Sequence, residues 1–411
     1  MSLIEPFRGL RPASGRADEI IAPPYDVLNS AEARERAAGR PWSFLHISKP
    51  EIDLAEDIDP YDPSVYAKAA ENLQKMIDAG VLARDEAPAY YIYRIVWGDH
   101  TQTGIVAGAS VADYDTNRIR KHEFTKPAKE DDRVRQIEAV NAETGPVMLA
   151  YPASAEIDAL IAGASAGEPE FDVTADDGIH HILWPVFDAD TIAKITAAFD
   201  ALPALYITDG HHRSASASRV SAARIAAGDD AADASHRLFL TVIFPHHQLK
   251  ILDYNRVITS LNGLTANQLI AKIGTVCAVE KVEGQAKPAS PRQFGMYLGG
   301  AWYRLTINDD LVPADPVGRL DISLLHDNII APMLDIADPR RDDRIDFVGG
   351  IRGLGELEKR VDSGEMAIAF ALFPTSLEDL MAVADAGEVM PPKSTWFEPK
   401  LADGMVSHVL D

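Results

Sequence analysis

One short stretch of the sequence concentrates side chains that could carry chemistry. It reads YITDGHHRSASASR and begins at residue 206. Its charged, titratable and turn-forming residues are Asp209, Gly210, His211, His212 and Arg213. The apolar run ALYIT that leads into it is typical of a buried strand, and the alanine- and serine-rich run from Ser214 is typical of a helix. A strand–turn–helix junction presents free backbone N–H groups and the positive end of the helix dipole.

The junction therefore predicts a cradle for an anion, most simply a phosphate. Gly210 would let the backbone approach the ligand. His212 and Arg213 would supply charge and donors, and Ser214 a hydroxyl. Two other interpretations stay open. The adjacent histidines could hold a metal, although neighbouring side chains on a helix diverge and chelate one ion poorly. The junction could also be structural only, with Asp209 capping the helix.

A second stretch, IRKHEFTKPAKEDDRVRQ from residue 119, places a histidine, carboxylates and basic side chains within a few residues of one another. General acid–base chemistry and phosphate binding both need such neighbours. Glu123 is a candidate base, and His122 a candidate binding residue. Lys129 and Arg133 are candidate phosphate ligands. A charged run is equally typical of a solvated helix face, so that interpretation also stays open.

A third stretch, MPPKSTWFEPKLADG from residue 390, combines rigid prolines and aromatic anchors with polar groups that could hold an anion. Those polar candidates are Lys393, Ser394, Thr395 and Lys400. A packed C-terminal cap would use the same residue types. Near the other end of the chain, the segment IAPPYDVL makes a proline turn after which Tyr25 and Asp26 could line a pocket.

The elements that must position these side chains read as a mixture of strands and helices. Aromatic and β-branched runs predict a hairpin over residues 89–111 and a second over 295–307. Amphipathic helices are predicted over residues 63–82, 188–202 and 376–387. Because hairpins and strand–helix alternation coexist, we expect an α+β fold with a mixed sheet covered by helices. We expect an N-terminal part over residues 1–244 and a C-terminal part over 245–411, unless the two are intertwined.

The composition narrows the class of protein. The chain has 411 residues and a formal net charge of −24, which repels nucleic-acid backbones. It has no uninterrupted apolar run of about 18 residues and begins without a signal-like segment, so we expect no membrane span and a cytoplasmic location. Its single cysteine, Cys277, allows no disulfide within the chain. No P-loop motif is present.

The motifs together resemble one family. APPYDVL, FLHISKPEID, KHEFTKPAKEDDR, DGHHR and PPKSTWFEPK are similar to the segments of the family known as domain of unknown function 1015. The resemblance covers nearly the whole chain. In addition, DGHHRSASA resembles the phosphate-binding turn of the ParB and sulfiredoxin-like superfamily, which includes free serine kinases. This second resemblance implies a ParB/sulfiredoxin-like core in which residues 209–213 hold phosphates, and it points to serine metabolism.

Three functions follow as hypotheses. The first is a kinase that uses ATP or ADP with Mg²⁺ to phosphorylate a small hydroxylated metabolite such as free serine, with Glu123 or Asp209 taking the hydroxyl proton. The second is a phosphatase of phosphoserine or a similar ester, with His211 or His212 as nucleophile or acid. The third is a protein that binds a nucleotide or another ligand without turnover. All three expect a small-molecule ligand and no resident metal, nucleic acid or membrane, and a homodimer is left open.

Overall fold

The structure is a computed structural model that describes residues 2–411. It forms two compact units: the chain through Leu249 together with Pro399–Asp411, and the segment Lys250–Glu398. Our division of the sequence at residue 244 placed the whole C-terminal part together, whereas the contacts of the structure return Pro399–Asp411 to the first unit. This return matters for the site, because Lys400 then belongs to the same unit as residues 209–213.

The strands are numbered in chain order. They are β1 (Ile4–Glu5), β2 (Gly9–Pro12), β3 (Leu82–Arg84), β4 (Tyr90–Trp97), β5 (His100–Ser110), β6 (Ile119–Arg120), β7 (Ala142–Glu143), β8 (Val147–Tyr151), β9 (Phe171–Thr174), β10 (His180–Val186), β11 (Leu205–Asp209), β12 (Leu238–Pro245), β13 (Lys250–Leu252), β14 (Tyr254–Ile258), β15 (Cys277–Val282), β16 (Gln293–Leu298), β17 (Ala301–Ile307), β18 (Ile345–Gly349), β19 (Ile368–Leu372), β20 (Trp396–Glu398) and β21 (Ser407–Val409).

The α-helices follow the same order. They are α1 (Ala17–Ile20), α2 (Ser30–Ala37), α3 (Leu45–Ser48), α4 (Pro63–Asp78), α5 (Val111–Asp115), α6 (Pro127–Val140), α7 (Ala155–Ala164), α8 (Ala189–Asp200), α9 (His211–Ala226), α10 (Ala266–Ile273), α11 (Asp321–Leu325), α12 (Ala331–Leu334), α13 (Gly355–Asp362) and α14 (Leu377–Asp385). A π-helical segment, His326–Ile330, joins α11 to α12. Within residues 2–411, no helix is both long enough and apolar enough to cross a bilayer.

The first unit is organised around a mixed sheet with the strand order β6-β11-β8-β12-β5-β4-β10-β9, and β1 adds to β5. The pairs β6–β11 and β8–β12 are parallel, and the other pairs are antiparallel. The expected α+β class with a mixed sheet is confirmed. The predicted hairpin is β4–β5, in which Gly98 at a φ of 56° allows the turn between Trp97 and His100.

The core of this unit lies between the sheet and the helices α5, α7, α8 and α9. Apolar side chains from the central strands pack with residues of α7, α8 and the buried face of α9 in one cluster. A second cluster joins α2, α3 and α4 to a small sheet of order β3-β2-β21-β7. Helix α6 packs on α4 and α9. Because α9 contributes to the main core, its N-terminal turn is fixed at the end of β11.

The second unit has its own sheet and core. Its strands pair in the order β15-β17-β16-β19-β14-β18, all antiparallel, and β13 pairs with β20. The second predicted hairpin is β16–β17, turned at Gly299 and Gly300, which both have positive φ. The predicted helix over residues 376–387 is α14, which begins at a Ser376 cap.

Candidate functional site

The junction between β11 and α9 differs from the sequence prediction in where the helix begins. We expected a helix from Ser214, whereas α9 begins at His211. Gly210 adopts a φ of 99°, which ends the strand, and the Ser214 N–H donates to the Gly210 carbonyl, which closes the first helical turn. The two histidines and Arg213 therefore lie in the first turn, where backbone N–H groups have no acceptor within the helix.

Asp209 forms an ion pair and does not cap the helix. Its Oδ2 lies 2.9 Å from Lys400 Nζ. Burial favours the neutral acid, but the charges of Lys400 and Arg213 prevail and hold the pKa of Asp209 well below its usual range. The N-cap position of α9 is occupied by Gly210 and not by Asp209, which lies one residue before it in β11. Asp209 is a carboxylate at neutral pH, and its role as a base stays a prediction.

His211 connects the first two sequence stretches. It is buried, and its Nε2 accepts a hydrogen bond from the His122 backbone N–H at 3.4 Å. Its Nδ1 lies 3.9 Å from Glu123 Oε2. The rings of His122 and His211 stand edge to face with their centroids 4.4 Å apart. Burial lowers the pKa of both imidazoles, that of His122 to about 4, so both are neutral at pH 7.

His212 anchors the end of the same loop. Its Nε2 accepts a hydrogen bond from the Lys126 backbone N–H at 3.0 Å. Burial and the charge of Lys129 lower the pKa of His212. A neutral imidazole whose Nε2 is an acceptor carries its proton on Nδ1. Both histidines therefore hold residues 122–126, which we call the anchored loop, against the first turn of α9.

Ser214 lies on the buried side of the helix. It is fully buried, and its hydroxyl donates to the His211 carbonyl at 3.1 Å. That position separates its hydroxyl from the solvent side, where the predicted anion would approach. Gly210 has the close surroundings expected of a cradle, since a Cβ there would lie 3.3 Å from the Cα of Val147.

The charged second stretch is only partly a solvated helix face. Lys129 is exposed on α6, whereas the Arg133 side chain is only 15% exposed. Arg133 donates from Nε to Asp132 at 2.8 Å, and its guanidinium lies 4.2 Å from the centre of the Tyr25 ring. Tyr66 donates to the same Asp132 at 2.8 Å. On the side of α6 that packs against the protein, Arg133 and Asp132 therefore form a hydrogen-bonded charged layer with Tyr66 and Tyr25.

Arg213 also lies near Tyr25. Its guanidinium is 6.0 Å from the Tyr25 ring centre, and it donates to the Pro146 carbonyl. Asp26 Oδ2 lies 3.5 Å from its Nη2. The acidic neighbours, Asp26 first, raise the pKa of Arg213 in spite of its burial. Tyr25 and Asp26, singled out from the sequence as pocket residues, therefore contact two of the predicted phosphate ligands.

A small cavity of about 30 Å³ opens beside these arginines. Its wall includes Tyr25, Arg133, Arg213, Glu143 and Asp403. Asp403 is 1% exposed, and among residues 2–411 neither of its carboxylate oxygens has a hydrogen-bond partner of acceptable geometry. Burial raises its pKa to about 7, against the opposing effects of Arg213 and the nearby Ser48 hydroxyl. Burial also raises the pKa of Glu143 to about 8.

The third stretch is divided between the units. Lys400 belongs to the first unit, whereas Lys393, Ser394 and Thr395 belong to the second. Within the second unit, the Lys393 ammonium lies 5.7 Å from the Tyr254 ring centre, and Ser394 donates to the Pro391 carbonyl. Their predicted role as phosphate ligands stays a prediction. In the described chain, no three His, Cys, Asp or Glu side chains are arranged to hold a metal.

Sequence reasoning missed Asp403, the residue with the most unusual surroundings at this site. It stands in LADGM, a segment whose small and polar residues are typical of a turn. Its position comes from long-range pairing: Ala22 and Asp403 form a backbone bridge, and the neighbouring Ala402 N–H donates to the Tyr93 hydroxyl at 3.3 Å. No local pattern in the sequence signals either contact.

Comparison with solved structures gives distant similarities. A conserved hypothetical protein from Pyrococcus furiosus aligns at 14% identity and a TM-score of 0.34, covering 73% of this chain and 93% of that one. A free serine kinase in complex with AMP aligns at 11% identity and 0.33, covering 74% and 92%. SbnI with C-terminal truncation from Staphylococcus aureus aligns at 13% identity and 0.37, covering 72% and 85%. At these TM-scores the alignments support no inference about individual residues.

Comparison of sequences gives a firmer result. No curated protein matches the chain. The profile of one family, described as protein of unknown function (DUF1015), matches residues 4–323. The match includes the anchored loop, the β11–α9 junction and the first part of the second unit. The chain therefore belongs to the DUF1015 family.

Proposed function

We propose that the first unit binds the phosphates of a nucleotide at the N-terminal turn of α9 and transfers a phosphoryl group to a small hydroxylated metabolite. One observation carries the proposal. Two sequence stretches with phosphate-binding residue types, residues 122–133 and 209–213, meet at this turn through hydrogen bonds from backbone N–H groups to His211 and His212. Free serine is the first candidate substrate, because the resemblance of the DGHHR turn implies it.

The cationic side chains have distinct parts in this proposal. The backbone N–H groups of the first turn and the Arg213 guanidinium would hold a phosphate group. Lys129, exposed on α6, would neutralise charge on the transferring phosphoryl group. Arg133, held between Asp132 and Tyr25, would keep this layer in place. Lys400 would keep Asp209 ionised beside the turn.

Glu123 is the best placed candidate for accepting the hydroxyl proton. Its side chain is 58% exposed, and its Oε2 faces the protonated Nδ1 of His211 at 3.9 Å. A neutral imidazole can orient a carboxylate without protonating it. Mg²⁺, bound with the nucleotide, would supply charge neutralisation of the phosphates. Mg²⁺ in such sites is bound chiefly by substrate phosphates and water, so the nucleotide would provide most of its ligands.

The geometry disfavours a phosphatase that uses a histidine as nucleophile. A nucleophilic imidazole needs a free lone pair on one nitrogen. In both His211 and His212, Nε2 accepts a backbone hydrogen bond and Nδ1 therefore carries the proton. Ligand binding without turnover uses the same anion site and remains the second candidate function.

The test is a product-resolved phosphate assay. The protein is incubated with ATP or ADP, Mg²⁺ and a mixture of hydroxy amino acids, and in parallel with phosphoserine alone. We expect a phosphorylated amino acid that disappears in Arg213→Gln. Arg219→Gln is the matched control, because Arg219 lies on the same helix but pairs with Glu130 and Asp131 on the surface.

The other outcomes each point to a rival. Phosphate released from phosphoserine without nucleotide would move the assignment to a phosphatase. Nucleotide binding by calorimetry without any product would favour a sensing protein. Absence of both binding and product would contradict the anion site itself.

A further inference from the structure

The cavity beside Arg213 contains a buried carboxyl group whose oxygens the protein does not hydrogen-bond. Asp403 is 1% exposed, and both of its oxygens lack a hydrogen-bond partner of acceptable geometry among residues 2–411. A buried carboxylate without partners is costly, and folded proteins pair such groups or bind something to them. The two arginines of the cavity wall do not fill this need: Arg133 hydrogen-bonds to Asp132, and Arg213 donates to the Pro146 carbonyl.

The space in front of Asp403 is preserved by a glycine. Gly145 lines the cavity, and a Cβ built there would lie 3.7 Å from Asp403 Oδ1 and 3.5 Å from Arg213 Cδ. Gly145 does not have a positive φ, so its backbone conformation does not itself require glycine. The absence of a side chain at this position therefore leaves a gap between a carboxylate and a guanidinium.

The size and charge of the gap define what fits. A cavity of about 30 Å³ accommodates one or two groups the size of a water molecule. Two carboxyl side chains, Asp403 and Glu143, are in its wall. Arg133 and Arg213 are also in the wall, but they donate to Asp132 and to the Pro146 carbonyl. The acceptors left without a partner are the Asp403 oxygens, so a small group rich in donors fits the cavity. A primary ammonium group has this size, this charge and three donors.

We propose that the cavity receives the ammonium group of a small amino-bearing substrate and that Asp403 is its principal acceptor. The rest of the substrate would extend past Arg213, whose guanidinium has five N–H donors and can donate to a carboxylate as well as to the phosphate. This inference rests on the proposed function, which supplies the reacting hydroxyl. It restricts the hydroxylated metabolite to a hydroxy amino acid. Asp403 is then a binding and specificity residue, outside the reacting atoms.

The test compares three small probes by calorimetry in the absence and presence of ADP. L-Serine carries an ammonium, a carboxylate and a hydroxyl group. Glycerate lacks the amino group, and ethanolamine lacks the carboxylate. We expect the wild-type protein to bind L-serine most tightly and glycerate weakly. Asp403→Asn should weaken L-serine binding about 10- to 100-fold, the cost of losing a charge-assisted hydrogen bond, and leave glycerate unchanged.

A second variant probes the gap itself. Gly145→Ala adds a methyl group at distances of ordinary van der Waals contact, so the protein should fold while the gap is filled. L-Serine binding should fall at least as far as in Asp403→Asn. The matched controls are Gly163→Ala, at a glycine with nothing within 4 Å, and Asp321→Asn, at a partly buried carboxylate of the second unit. Both controls should bind L-serine as the wild type does.

The outcomes distinguish failure of the ammonium site from failure of the proposed phosphoryl transfer. Glycerate binding as tight as that of L-serine, or L-serine binding unchanged in Asp403→Asn, would overturn the ammonium site even if phosphoryl transfer occurs. Asp403-dependent L-serine binding without any transfer from nucleotide would uphold the site and refute the kinase. Absence of binding by all three probes would overturn the proposal and leave the cavity as a site for ordered water.

Discussion

Replacing Asp403 by asparagine should stabilise the unliganded protein, and the gain should grow with pH. Asparagine keeps the shape of the side chain but cannot ionise. The pKa of Asp403 in the folded protein is about 7, against an ordinary value of 3.8 for the free side chain. This shift of about three units corresponds to about 4 kcal/mol of destabilisation once the group is ionised. Because the side chain is buried, solvent screening does not reduce this value appreciably.

The sign follows from proton binding. Between about pH 4 and about pH 7, the folded state keeps a proton on Asp403 that the unfolded state has lost. The free energy of unfolding of the wild-type protein therefore falls across this range and levels off above it. The groups that set this pKa, besides burial, are Arg213, Asp26, Ser48 and Arg133. The difference between wild type and variant isolates Asp403, since other titrating groups are common to both.

The measurement is urea unfolding of the wild-type protein and of Asp403→Asn at about pH 5 and about pH 8. The difference in free energy of unfolding between Asp403→Asn and the wild type should increase by most of the expected 4 kcal/mol between these two pH values. Asp321→Asn provides a comparison in the second unit, where burial raises the pKa of the carboxyl to about 6. A difference that stays constant with pH would refute the raised pKa of Asp403, because it would mean that its carboxylate already has a partner in solution.

Three further changes test the junction and its neighbours. Gly210→Ala should cost about 1–2 kcal/mol of stability in thermal unfolding, because alanine disfavours the positive φ at this position. His212→Ala removes the acceptor for the Lys126 N–H and should weaken ATP binding in calorimetry without lowering the melting temperature by more than a few degrees. Lys400→Met should cost about 1–3 kcal/mol at neutral pH, since it leaves the Asp209 carboxylate without its ion pair. This last loss should shrink below about pH 4 in urea unfolding, as the carboxylate of the unfolded chain takes up its proton.

Local patterns were enough to predict the elements that surround the site. The hairpin β4–β5 follows from alternating aromatic and β-branched residues with a glycine at the turn, and these are local determinants. The start of α9 was missed because the polar residues at its beginning resemble a turn and no side chain caps the helix. Tertiary packing of α9 in the main core, and the conformation of Gly210, extend the helix back to His211.

The contacts between the candidate residues were less predictable. The residue types at 122–133 and 209–213 indicated phosphate chemistry, but their meeting depends on the packing of α6 against α9. The position of Lys400 depends on the return of Pro399–Asp411 to the first unit, where β21 pairs with β2 and β7. Such pairings join residues that are far apart in the chain, and a local pattern carries no information about them.

Asp403 illustrates why a residue with a proposed function can leave no trace in local sequence patterns. The side chain would be better satisfied at the surface, and its burial without a partner opposes folding. This unfavourable burial is offset by a backbone bridge to Ala22 and by the sheet pairing of the nearby strand β21. A conflict between local preference and tertiary position is expected where a protein keeps a group ready for a ligand. The physical signature of the proposed ammonium site is therefore an energetic one, which unfolding experiments on the unliganded protein can measure directly.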